Sequence, residues 1–122
     1  MFISPESRRI LKLIAEAKQR QEERRVRELQ AFQDSLESTL SKELCDLLHM
    51  DYELKEVGQP PRGIFRIGEW TWTLSPNPIV DAERPWKWGL DIRNAGGANR
   101  GGVIDTMDDL LLRIDRETPS PV

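Results

Sequence analysis

Cysteine and histidine are nearly absent: Cys45 and His49 are the only examples in 122 residues. One cysteine excludes an internal disulfide, and a reducing, cytoplasmic setting is the expectation that follows. The pair stands four residues apart, a spacing that suits two ligands on a helix, but no second Cys or His exists to complete a tetrahedral site. Both fall opposite the leucine stripe of the helix they occupy, so they read as exposed residues. The lone histidine also removes the commonest general base, and no Ser/His/Asp or Cys/His/Asn set stands out. Apolar runs stay far short of the ~18 residues that cross a bilayer. The opening "MFISPESRR" meets Glu6, Arg8 and Arg9 too early to be a signal-peptide core. No membrane partner, cofactor, metal or small-molecule substrate is indicated, and the chain reads as non-catalytic.

After Pro5, glycine and proline are missing as far as Met50, and Leu, Ala, Glu, Gln, Arg and Lys dominate. That stretch predicts a long helix, capped by Ser4 with Pro5 at its first position. Unbroken, it would be roughly 65 Å long at 1.5 Å per residue. Val26, Leu29, Phe32, Leu36, Leu40, Leu44 and Leu47 fall on one stripe at about 100° per residue. Ile10, Leu13, Ile14 and Ala17 form a second stripe, rotated by roughly a quarter-turn. Between the two lies "KQRQEERR" (18–25), with no apolar residue at all. A continuous coiled coil would need apolar positions through this waist. The expectation is therefore two packing segments, 8–17 and 26–48, with a possible break near 18–25 and a favourable Glu23–Arg27 pair beside it. Charge divides along the helix as well, net +3 over residues 1–28 and net −4 over 29–51.

All four tryptophans sit in two W-x-W stretches, "EWTWTL" (69–74) and "PWKWGL" (85–90). Gly68-Glu69 reads as a type II′ hairpin turn that pairs Ile67 with Trp70 and Phe65 with Trp72. Phe65, Ile67, Trp70, Trp72 and Leu74 then share one face, as do Trp86, Trp88, Leu90 and Ile92 on the following strand. A further short strand is expected over 52–57. Left in water, the four indoles would expose roughly 600–1,000 Å², above the ~300–600 Å² of the largest patch on a typical monomer. They therefore read mainly as core, with room for one or two at a rim. The C-terminal stretch 106–117 predicts a helix capped by Asp105 or Thr106, burying Met107, Leu110, Leu111 and Ile114.

The expected fold is α+β: a long N-terminal helix plus a three- to four-stranded antiparallel sheet covered by a C-terminal helix. Residues 1–50 form the amphipathic helical segment, 51–117 the sheet-and-helix domain and 118–122 a tail. The glycine-rich stretch 93–102 lacks the G-K-[ST] ending of a phosphate loop, and Asp105, Asp108 and Asp109 behind it would repel a phosphate. It reads instead as a mobile contact loop offering Arg93, Asn94, Asn99 and Arg100. Together with Ile10, Leu13, Ile14, Arg24, Arg25 and Arg27, these make up the expected partner-binding set. The expected role is that of a small accessory, adaptor or inhibitor-type subunit, its partner another protein or a second copy. The alternative is nucleic-acid binding through Arg8, Arg9, Arg20, Arg24, Arg25 and Arg27, or through the Arg93/Arg100 loop.

Overall fold

The polar waist does not break the helix. In the computed structural model, which describes residues 4–77 and 87–117, helix α1 runs uninterrupted over Pro5–Leu40. Lys, Gln, Glu and Arg are strong helix formers, so a run of them marks solvent on every side of the helix and leaves its backbone intact. The waist is laced by a Gln19–Glu23 hydrogen bond of 3.3 Å and by ion pairs Arg25–Glu22 at 2.6 Å and Arg24–Glu28 at 3.0 Å. The expected Glu23–Arg27 pair gives way to these three. Ser4 caps the start, its hydroxyl accepting the Ser7 N–H at 3.2 Å.

The break falls at Ser41, whose φ of 74° takes the chain out of the right-handed helix. Its hydroxyl then accepts the Leu44 N–H at 3.1 Å and starts the short helix α2, Lys42–Leu47. This reset changes which residues face inward. Beyond Leu40 the expected stripe to Leu47 keeps only Leu44, half-buried against the core; Leu47 is exposed, and Cys45 is buried in the core. The expectation that Cys45 is exposed is thus corrected, while His49 is exposed at φ 53°. Burial pushes the Cys45 thiol and the neighbouring Tyr52 hydroxyl above their usual pKa ranges. Val26, at the other end of the stripe, is also exposed.

Five strands follow, one more than the largest expected number: β1 Asp51–Glu53, β2 Arg62–Ile67, β3 Trp70–Pro76, β4 Trp88–Asn94 and β5 Asn99–Ile104. They form an antiparallel meander in sequence order. The strand expected over 52–57 is shortened to β1, after which Leu54 turns into the core. The β2–β3 hairpin has the expected register, Ile67 opposite Trp70 and Phe65 opposite Trp72. Gly68 has φ +59° and Glu69 a negative φ, the combination of a type II′ turn. The fifth strand comes from the glycine-rich stretch expected to be a loop. Asn94 closes its turn, donating its backbone N–H to Ala98 O at 3.1 Å and accepting the Ala98 N–H on its side chain at 2.9 Å.

One face of the sheet carries Phe65, Trp72, Leu74, Trp88, Leu90, Ile92 and Ile104, all buried. Phe65 stacks on Trp72 at 5.5 Å, and Phe32 of α1 meets Trp88 edge-on at 5.6 Å. Trp70 is half-buried at the rim, and Trp86 lies outside the described residues. Leu36 of α1 approaches so closely that a Cβ on Gly63 would meet its Cδ2 at 2.9 Å. Helix α3, Met107–Glu117, is the other cover. Thr106 is its cap, accepting the Asp109 N–H at 3.2 Å, while the Asp109 carboxylate accepts the Asp105 and Thr106 N–H groups at 3.0 Å. Those backbone bonds hold the Asp109 carboxyl below the usual carboxylate range. Leu110 is buried with Met107 and Ile114 packed beside it, but Leu111 is exposed, contrary to the expected stripe.

Candidate functional site

From Ser4 to Arg24 every residue of α1 and its cap is exposed. This stretch is about 30 Å of helix at 1.5 Å per residue. It stays helical because the turns packed on the sheet already supply the nucleus and the remaining residues only propagate it. Its tether to the body is Arg25, whose guanidinium donates to the Leu54 carbonyl at 2.9 Å while holding Glu22 at 2.6 Å. The hydrogen bond from Arg25 keeps the Glu22 carboxyl below its ordinary pKa.

On this free stretch Ile10, Leu11, Leu13 and Ile14 are between 44 and 56 % exposed. Four large aliphatic side chains within five residues gain nothing from water, and an apolar patch of this kind is the usual mark of an interaction surface. The expected second stripe is therefore present, but it packs on no described element of its own chain. Leu11, which sequence periodicity left out of the stripe, extends it on one side. Where the stripe descends toward the body, Ile14 and Ala17 face Val57 across a groove of about 490 Å³. Lys18 and Lys55 also line it. The two expected ends of the site, apolar stripe and waist arginines, thus lie on one helix. Arg24 and Arg25 are already engaged by Glu28 and Glu22, and Arg27 is exposed without an ion pair among the described residues.

The second half of the expected set does not form a mobile loop. Arg93 is exposed and pairs with Asp91 at 2.7 Å, and Asn99 stands opposite it across β4 and β5. Asn94 is taken up by the turn. Arg100 belongs to the opposite face: its guanidinium lies 5.3 Å from the Trp70 ring centroid and pairs with Glu117 at the end of α3. Arg113 reinforces this end, ion-pairing with Glu117 at 3.1 Å and donating to Gly101 O at 3.0 Å. The hydrogen bond from Arg100, with the charges of Arg113 and Arg116, holds the Glu117 carboxyl below its usual range. A side chain at Gly102 would meet Arg113 Nη1 at 2.8 Å and push the guanidinium from its place. Asn94 and Arg100 thus have partners within the fold, and the stretch expected to be one mobile loop is a turn followed by a strand.

Two residues that sequence reasoning did not place at the surface stand out on α3. Leu111 is 40 % and Leu112 68 % exposed. The signal was available in the spacing, since Asp108 and Asp115 bracket the two leucines one turn away on either side. Among the described residues no three His, Cys, Asp or Glu side chains are grouped to hold a metal, and no helix is long and apolar enough to cross a membrane. Compared with protein-family models, curated proteins and solved structures, the chain matches none, so its function must be argued from its own residues.

Proposed function

We propose that this chain is a non-catalytic binding protein, an accessory or adaptor-type subunit whose recognition element is the free N-terminal part of α1. The observation that carries this reading is the half-exposed cluster Ile10, Leu11, Leu13 and Ile14 on a helix stretch that its own body leaves uncovered. The sheet and the two covering helices hold that stretch out as a rigid arm, and helix-in-groove recognition uses this kind of spacing of apolar anchors. A protein surface fits the stripe better than nucleic acid does. A phosphate backbone is tracked by an unbroken basic face, whereas here the cations without an ion pair among the described residues, Lys18, Arg20 and Arg27 among them, are interleaved with Glu16 and Glu23, and Arg24 and Arg25 are engaged.

Site-specific photo-crosslinking tests the reading. A benzophenone side chain at Leu13 is expected to yield protein adducts in cells that make this chain, and the same group at exposed Ala31 on the body-packed part of α1 is not. Adducts from neither position, or equally from both, would count against the stripe as the recognition element. Adducts sensitive to nuclease would transfer the function to nucleic-acid binding.

A further inference from the structure

We infer that the occupant of the α1 stripe is the outward face of α3 in a second copy of this chain. The inference rests on the reading of the stripe as a protein-binding surface and names its partner. On α3, Leu110 points into the core, and Leu111 and Leu112 point away from it. At 100° per residue Asp108, Leu111, Leu112 and Asp115 share one sector of the helix. Neither aspartate has an ion pair among the described residues. Beside Leu112 a shallow groove of about 350 Å³ is lined by Val103 and Ile104 together with Asp109, Arg113 and Arg116. The outward face of α3 is thus an apolar ridge flanked by Asp108 and Asp115, with Arg116 at one edge beside Leu112, and its unpaired charge is acidic because Arg116 and Arg113 both lie against Glu117.

The stripe of α1 is its complement. Ile10, Leu13, Ile14 and Ala17 form the apolar strip, and Lys18 and Arg20 at its border carry no ion pair among the described residues. Eight basic and five acidic side chains precede Leu29, a net +3, while ten basic and sixteen acidic side chains follow, a net −6. The basic arm and the acidic body attract in the right sense for arm-on-body docking. Docking on the α3 of the same chain does not occur, because α1 is continuous and residues 4–24 are all exposed. Stripe-on-stripe pairing of two copies is disfavoured, since it brings two net-positive arms together along an apolar strip only about 12 Å long.

A single helix-on-helix contact of two to three turns buries on the order of 800 Å² over both partners, less than stable interfaces of about 1,200–2,000 Å². Two copies of the contact, related by a twofold axis, reach that range, so a reciprocal dimer is the assembly that fits.

Sedimentation analysis of the full chain tests this with exchanged charges. Wild type is expected to dimerise. Lys18→Glu with Arg20→Glu, and separately Asp108→Lys with Asp115→Lys, should each raise the dimer dissociation constant roughly 30-fold or more. Mixing the two variants should restore association, because each acidic arm then meets a basic α3 and each basic arm an acidic one. All four positions are exposed, so circular dichroism should match wild type, and thermal melting at a concentration where wild type is monomeric should stay close to it, apart from a small loss from a lysine at Asp108 in the first turn of α3. A wild-type monomer at all concentrations, or a dimer unaffected by the α3 pair, would overturn the inference. So would two weakened variants that fail to associate when mixed. The broader reading of the stripe would survive each of these results if Leu13 still crosslinks to a different protein, and would fall with it if Leu13 crosslinks to nothing.

Discussion

Trp72→Ala should lower the free energy of unfolding by about 3–5 kcal/mol, read as a drop in the urea midpoint at unchanged slope. Trp72 is fully buried at the middle of the sheet, stacked on Phe65 and flanked by Ile92 on β4. A domain of this size has about 5–15 kcal/mol in total, so the loss is about a fifth or more of the whole. Removing the indole leaves no buried partner unsatisfied, because its Nε1 has no hydrogen-bond partner among the described residues. The cost is then one of packing and cavity. Trp72→Phe, which keeps an aromatic ring against Phe65, should cost clearly less. Leu13→Ala, by contrast, should change stability by less than ~0.5 kcal/mol, since Leu13 is exposed. The contrast separates the tryptophan face, which makes the fold, from the helix stripe, which does not.

Leu36→Ala should cost about 2–5 kcal/mol, and its interaction with Gly63 provides the sharper reading. In the wild type a Cβ on Gly63 would meet Leu36 Cδ2 at 2.9 Å and Met50 Sδ at 3.1 Å. Gly63→Ala alone should therefore destabilise by about 1–3 kcal/mol through overpacking. Once Leu36 is shortened, the added methyl occupies part of the vacated space. The double variant should be no less stable than Leu36→Ala alone, a coupling that sequence distance does not suggest. Independent, additive effects of the two substitutions would mean that α1 does not sit over β2 as described. Thermal or urea unfolding of the three variants decides the point.

Much of this architecture can be read directly from the chain. The two W-x-W stretches alternate with polar residues, and the two-residue Gly68-Glu69 turn fixes their register, so the apolar face followed from local rules alone. The start of α1 and the extent of α3 were legible for the same reason, through Ser4, Pro5 and Thr106. The misreadings have a common physical origin. Polarity in 18–25 reports where solvent is, whereas a helix ends where the backbone leaves the right-handed region, and Ser41 gives little advance sign of that. Its turn then re-phases everything after it, burying Cys45 and exposing Leu47. β5 was hidden because a glycine-rich strand has few side chains to alternate. It exists because β4 pairs with it over six residue pairs, from Trp88 opposite Ile104 to Arg93 opposite Asn99.

The candidate site divides in the same way. Ile10, Leu13 and Ile14 were legible because an apolar stripe out of phase with the core stripe has no place to pack on a small sheet. Arg100 was not, since its partners Trp70 and Glu117 are distant in sequence and are brought to it only by the meander and by α3. Leu111 was assigned to the core on periodicity. Burying one side of an eleven-residue helix uses Met107, Leu110 and Ile114, and the third apolar column is left facing out.

Amide hydrogen exchange of the dilute chain tests most directly whether the stripe of α1 lies outside the fold. Amides over residues 8–17 are expected to exchange orders of magnitude faster than those over 29–40, whose opening requires the core around Phe32, Leu36 and Leu40 to come apart. As concentration rises, protection should appear over 8–17 while 29–40 stays as it was. Protection of 8–17 in the dilute monomer as deep as that of 29–40 would contradict the account, because the stripe would then be part of the protein's own core.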